Sequence, residues 1–133
     1  MTQPNGSNED LVRAASAAFG RGELSALQDQ YFAADMVWHV AGTGPFAGTH
    51  AGAAEVIGQL TKISALSNGT VQPQVHDVLV SNDHTVVLVT MNAERAGKQL
   101  QLNLVHVIHS QNGKATEVWT YSADPAGAAQ FWS

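Results

Sequence analysis

Leu100-Gln101-Leu102-Asn103-Leu104-Val105-His106-Val107-Ile108 alternates with a period of two. Leu100, Leu102, Leu104, His106 and Ile108 share one face, while Gln99, Gln101 and Asn103 share the other, the pattern of a strand covered on one side. The leucine face is the covered one, so His106 stands among leucines and an isoleucine where the sheet meets the elements packed on it. Two readings of such a histidine are open. It is either a core side chain with one hydrogen-bonded nitrogen or a polar group in a largely apolar cavity. Apolar surroundings disfavour the imidazolium in both, which makes His106 neutral at pH 7.

The same period governs the chain from Thr70 onward. Val75–Val80, Val86–Met91, Leu100–Ile108 and Ala115–Tyr121 are expected as four strands. The breaks Ser81-Asn82-Asp83, Arg95-Ala96-Gly97-Lys98 and Gln111-Asn112-Gly113 are short enough for an antiparallel meander. Upstream the period is helical. Ser7 with Asp10 resembles a capping box, predicting a helix from near Asn8 with Leu11, Ala15, Ala18 and Phe19 on one face, ended by Gly20 and Gly22. Leu24, Leu27 and Tyr31 mark a second, shorter helix. A short extended stretch, Met36–Ala41, leads to the turn Gly42-Thr43-Gly44-Pro45. Val56, Ile57, Leu60 and Ile63 mark a third helix starting close to Gly52. Asp124-Pro125 opens a short terminal helix with Phe131 and Trp132. Segregated helices and antiparallel strands give an α+β class. The expected architecture is a strongly curved antiparallel sheet wrapped on three helices, a cone with a mouth. Residues 1–7 read as a disordered lead-in and residues 8–133 as one domain.

Length and composition narrow the function classes. A chain of 133 residues buries enough surface to fold without a staple. With no cysteine, disulfide scaffolds, thiolate zinc sites, iron–sulfur clusters and cysteine nucleophiles are excluded. Six basic and eleven acidic residues give a net charge of −5, a poor match to nucleic acid or an anionic membrane. No run approaches the ~20 apolar residues of a membrane span. Met1–Asp10 has no basic flank and no apolar core, so a signal peptide is not expected and a cytoplasmic location is.

Only 13% of the residues are charged, yet the six histidines equal the lysines and arginines combined. His84 follows a turn and His109 ends a strand, both expected to be exposed. His50 precedes the third helix as a capping residue. His76 alternates in step with Val78 and Val80, toward the core. His39 lies between Trp38 and Val40; parity puts Met36, Trp38 and Val40 on the more apolar face and His39 on the exposed one. His106 and His109 are three apart on a strand and point to opposite faces, and no His-Glu-x-x-His helix occurs, so no metal site is expected.

Two motifs carry a resemblance. One is Trp38-His39-Val40-Ala41-Gly42-Thr43-Gly44-Pro45-Phe46-Ala47-Gly48 ahead of a helix. The other is Asn112-Gly113-Lys114-Ala115-Thr116-Glu117-Val118-Trp119 in the last strand. Together with Gly69-Thr70 and Val75-His76-Asp77-Val78-Leu79, they make nearly the whole chain similar to the SnoaL-like branch of the nuclear transport factor 2-like superfamily. The resemblance implies a conical pocket inside a curved sheet. Ketosteroid isomerases, polyketide cyclases, scytalone dehydratases and non-catalytic binding modules belong to that superfamily. It also implies that His39 occupies the position of the isomerase general-base Asp and points into the cavity, against the parity argument. His106 would occupy that of the oxyanion-hole Asp. Ala15 stands where the isomerase oxyanion Tyr would stand, which argues against steroid isomerisation itself.

A neutral imidazole suits general-base work near pH 7. The enzymatic expectation is therefore cofactor-independent proton transfer (isomerisation, cyclisation or dehydration). His39 is the base, and His106 or a tyrosine the donor to the developing oxyanion. Phe19, Tyr31, Trp38, Phe46, Leu104, Trp119 and Tyr121 are the candidate walls for a small, largely apolar ligand of polyketide, steroid or aromatic type. The alternative is a non-catalytic ligand-binding or dimeric accessory module, since this fold hosts many functions. No cofactor, metal, nucleic-acid or membrane partner is expected. The resemblance suggests a homodimer through the outer sheet face, where Val105 and Val107 lie opposite His106.

Overall fold

A computed structural model describes residues 5–133 of the chain. The lead-in expected at residues 1–7 lies outside the described residues up to residue 4, and helix is already formed at Asn5. Helix α1 (Asn5–Gly20) thus begins three residues before the predicted start, and Ser7 lies within its first turn rather than ahead of it. Helix α2 (Leu24–Ala26) runs directly into a π-helical turn (Leu27–Tyr31). Strand β1 (Phe32–Val40) and the short strand β2 (Gly48–Ala51) follow, then helix α3 (Ala53–Leu66), with Gly52 at its start as predicted. The four long strands are β3 (Gln72–Val80), β4 (Thr85–Arg95), β5 (Lys98–Gln111) and β6 (Lys114–Ser122). Helix α4 (Pro125–Trp132) ends the chain, and the Asp124 side chain accepts a hydrogen bond from the Gly127 amide at 3.0 Å. Among the described residues no helix is long and apolar enough to cross a membrane.

The strands form one six-stranded sheet in the order β2-β1-β6-β5-β4-β3. The expected meander of β3 to β6 is present, antiparallel throughout. β1 extends it by pairing parallel to β6, and β2 closes that edge by pairing antiparallel to β1. The fold is the expected α+β class, a curved sheet against helices. Strands β4, β5 and β6 run longer than predicted because their turns are minimal. Arg95 pairs with Lys98 across Ala96-Gly97, and Gln111 pairs with Lys114 across Asn112-Gly113. Both central residues of each turn have positive φ (53° and 79°, then 53° and 77°), the twist that lets a ladder run to the very turn.

The interior is divided. Ala18, Leu27, Phe32, Met36, Ala53, Val56 and Val118 form one cluster where α1 and α3 cover β1 and β6. Val78, Val87, Val89, Leu102 and Leu104 form a second on the concave sheet. Val71, Ala93, Phe131 and Trp132 form a third under α4. Helix α4 is held from below, because Arg95 Nη1 donates to Phe131 O at 2.8 Å and to Ser133 O at 2.6 Å. It is also met by the loop after β1. A Cβ on Gly44 would sit 2.8 Å from Ala129 Cβ, so only glycine permits that approach. The space between the clusters is a cavity.

Candidate functional site

The cavity has two adjoining lobes, of about 140 and 160 Å³. Lobe one lies beneath α4 and the β1–β2 loop, lined by Phe46, His50, Gln59, Leu102, Ala128 and Trp132 among others. Lobe two lies beneath α1, lined by Leu11, Ala15, Phe19, Tyr31, Val87 and Ala115 among others. Trp38, Leu60, Met91, Leu104 and His106 border both. Among the described residues no Asp, Glu, Lys or Arg lines either lobe. A charged ligand would lose its hydration there without a counter-charge in return.

His106 occupies the junction because β5 alternates without a break from Leu102 through Leu104. Its ring is tied at one end. His106 and Thr120 are cross-strand partners, and Nδ1 lies 2.7 Å from Thr120 Oγ1. The same hydroxyl lies 2.8 Å from Trp38 Nε1, whose ring meets the imidazole edge-on at 5.8 Å. An indole N–H only donates, so Thr120 Oγ1 accepts from Trp38. The hydroxyl keeps its own proton to give; with that proton directed at His106 Nδ1, the imidazole carries its proton on Nε2. Nε2 has no protein partner among the described residues and is not sealed off; the exposure that leaves His106 half-buried is exposure to the cavity. Burial lowers the His106 pKa from 6.5 to about 4, so the ring is neutral at neutral pH. With that tautomer the junction presents a neutral N–H donor in a largely apolar chamber.

Of the predicted wall residues, Phe19 and Tyr31 line lobe two, Phe46 lines lobe one, and Trp38 and Leu104 border both. Trp119 and Tyr121 do not line it. In β6 the buried residues are Val118 and Thr120, so the alternate positions face outward, and Tyr121 is 50% exposed. His39 is also corrected. It neighbours Trp119 in register, stacks on that indole at 5.5 Å, and sits on the outer face. Its Nδ1 lies 3.0 Å from Thr49 Oγ1 and its Nε2 2.7 Å from Glu117 Oε2. The sheet thus separates His39 from His106, and parity rather than the family position decides its direction. His76 likewise turns outward, onto Thr90 Oγ1, because a bulge between Val75 and Asp77 shifts the alternation. His109 packs between His84, at 4.3 Å, and Trp119, at 5.1 Å, rather than standing free.

Among the polar residues of the site that escaped the sequence reading are His50 and Thr120. His50 is the register partner of Trp38 and lines lobe one. Its Nε2 donates to Phe46 O at 3.0 Å, and Nδ1 lies 3.8 Å from Glu55 Oε1. Its signal was the unread strand β2. Thr120 was legible from the alternation Val118–Thr120–Ser122. Among the described residues no group of three or more His, Asp or Glu side chains is arranged to hold a metal ion.

Comparisons with known proteins agree with this geometry. Over 125 residues the chain is 36% identical to the uncharacterized protein Rv0034 of Mycobacterium tuberculosis, covering 93% of this chain and 95% of that one. The structure of Bal32a, from a soil-derived mobile gene cassette, superposes with a TM-score of 0.91 at 27% identity, covering 97% of this chain and 98% of that one. TerC, co-crystallized with polyporic acid, superposes with a TM-score of 0.80 at 19% identity over 95% of this chain and 98% of that one, a likeness of fold. The profile of the SnoaL-like domain matches residues 12–118. The chain belongs to the SnoaL-like domain family.

Proposed function

We propose that this protein binds a small, neutral, largely apolar molecule and anchors one hydrogen-bond acceptor of it on His106 Nε2–H. The observation that carries this is the junction itself: the His106 ring, held from behind by Thr120 and Trp38, turns its Nε2 side to both lobes of a chamber lined by no Asp, Glu, Lys or Arg among the described residues. A carbonyl or ether oxygen fits such a donor, and the aromatic and aliphatic walls supply the binding energy. TerC, a protein of the same fold, was co-crystallized with an organic molecule, polyporic acid.

The test uses phenylacetone and propylbenzene, of similar size, the second lacking the oxygen. Calorimetric titration is expected to show binding of phenylacetone that His106→Leu weakens about threefold to tenfold, the range of one net hydrogen bond. His39→Ala, on the outer face, is expected to bind as the wild type does. Equal binding of the two compounds, or of phenylacetone to wild type and His106→Leu, would overturn the reading.

A second reading, turnover, is favoured by one observation: His50 shares lobe one with His106. Histidine would act as general base in cofactor-independent isomerisation, cyclisation or dehydration, with His50 taking a proton from the carbon next to the carbonyl. His106 would donate to the enolate oxygen. Exchange of the phenylacetone methylene protons in D₂O, faster with enzyme and abolished in His50→Ala, is its measurement.

We further propose that the convex face pairs with a second copy. Leu79, Leu88 and Tyr121 are 50%, 37% and 50% exposed there, and Leu88, Val105 and Tyr121 form one cross-strand row.

A further inference from the structure

His106 does not stand at the end of the cavity; it stands where the two lobes meet. Trp38 and Leu104 flank it there, also bordering both. Each lobe has its own set of apolar walls and its own covering helix, α4 for one and α1 for the other. Their volumes, about 140 and 160 Å³, are nearly equal. A dry cavity of about 150 Å³ holds one benzene-sized ring. A ligand with its oxygen at one end would fill one lobe and leave the other empty, exposing apolar wall to a void or to poorly bonded water. A ligand with its oxygen in the middle fills both and still meets the donor at the junction.

We infer that the ligand is a two-armed molecule: an internal carbonyl or comparable acceptor on His106, flanked by two apolar arms of about one ring each, one per lobe. This rests on the anchoring role of His106 proposed above and adds to it where the acceptor lies within the ligand. The absence of charge in both lobes extends to the arms, which are unionised throughout their length. Each lobe has small wall residues whose enlargement would close it, Ala128 in lobe one and Ala15 in lobe two.

Dibenzyl ketone is the probe, with an aryl arm on each side of a ketone. Phenylacetone keeps the ketone and one arm, and 1,3-diphenylpropane keeps both arms without the ketone. Calorimetry with the full chain is expected to rank dibenzyl ketone at least about tenfold tighter than either, since each relative lacks a ring's burial or the hydrogen bond. Filling either lobe should bring dibenzyl ketone down to the affinity of phenylacetone: Ala15→Phe for lobe two, Ala128→Phe for lobe one. Leu11→Trp and Gln59→Phe, at residues that line lobe two and lobe one respectively, repeat the blocks should either first variant fail to fold by circular dichroism.

If phenylacetone binds as tightly as dibenzyl ketone and only one block matters, the ligand is one-armed and the inference is overturned, with the anchoring role intact. If 1,3-diphenylpropane binds as tightly as dibenzyl ketone, the anchoring role fails instead. Both blocks reducing dibenzyl ketone while phenylacetone is lost to only one of them is the result that supports two arms.

Discussion

Thr120 Oγ1 lies 2.7 Å from His106 Nδ1, across a pair of residues in direct register on neighbouring strands. The contact does more than fill a polar group's valence. The same hydroxyl accepts the Trp38 indole N–H and still has its own proton to direct at His106 Nδ1, the arrangement in which the imidazole keeps its proton on the cavity side. Thr120→Val removes the hydroxyl at nearly constant volume. It should destabilise the fold by about 1–3 kcal/mol, the cost of leaving the Trp38 N–H without an acceptor. Thr120→Ser should restore most of that stability. Nitrogen-15 spectra of the histidine rings check the tautomer directly. Wild type and Thr120→Ser are expected with the proton of His106 on Nε2, and Thr120→Val with a mixture. A wild-type signal for Nδ1–H would reverse the assignment and turn His106 from donor to acceptor.

How far the sequence reached depended on how rigid each pattern is. A strand's side-chain period is two, so one unbroken run, Leu100 to His106, was enough to put His106 on the concave face. The same arithmetic placed His39 outward, correctly. The contrary expectation came from counting residues from a glycine in a related loop, and a single-residue slip in such a count flips a strand residue to the other face. Trp119 and Tyr121 were misplaced although Val118 and Thr120 already carried the alternation. Strand β2 was not legible: Gly48-Thr49-His50-Ala51 has little intrinsic strand preference and forms because β1 supplies a ladder. With β2 went His50. The division of the interior into two lobes depends on how α1 and α4 pack, which no local pattern encodes.

Acid should expose the burial of His106. Its pKa is about 4 in the folded chain against 6.5 unfolded, so between those values the unfolded state binds more protons. Stability is therefore expected to fall as the pH drops from about 6.5 toward 4, by an amount on the order of 3 kcal/mol at most. Urea unfolding at several pH values measures the slope. His106→Leu should flatten it across that window, and a slope unchanged in this variant would assign the acid sensitivity elsewhere.

Ala96 sits at φ 53° in the two-residue turn between β4 and β5, while the sister turn between β5 and β6 uses Asn112 at the same φ. Alanine tolerates this left-handed conformation poorly, and asparagine tolerates it well. Ala96→Asn is expected to stabilise the protein by about 0.5–1 kcal/mol, by relieving a strained turn position. That corresponds to a rise of a few degrees in Tm for a domain of this size, read by calorimetry. Asn112→Ala should produce the opposite shift. Equal melting of wild type and Ala96→Asn would mean that the turn's strain is absorbed by the flanking strands.

The centre of the convex face is apolar across three strands in register, Leu88 beside Val105 beside Tyr121, and the next row continues with Val86, Val107 and Trp119. A face of this kind on an isolated chain is costly, and a two-fold axis through it would cover it with its own copy. Wild-type protein at tens of micromolar is expected to run as a dimer by light scattering. Val105→Glu places a carboxylate at the centre of that face, where dimerisation would bring it near its symmetry mate without a partner. It should halve the measured mass while leaving the circular dichroism and phenylacetone affinity unchanged, because Val105 points away from the cavity that its neighbour His106 enters. A monomeric wild type, or a Val105→Glu variant of dimer mass, would show that this face is covered by something other than a second copy.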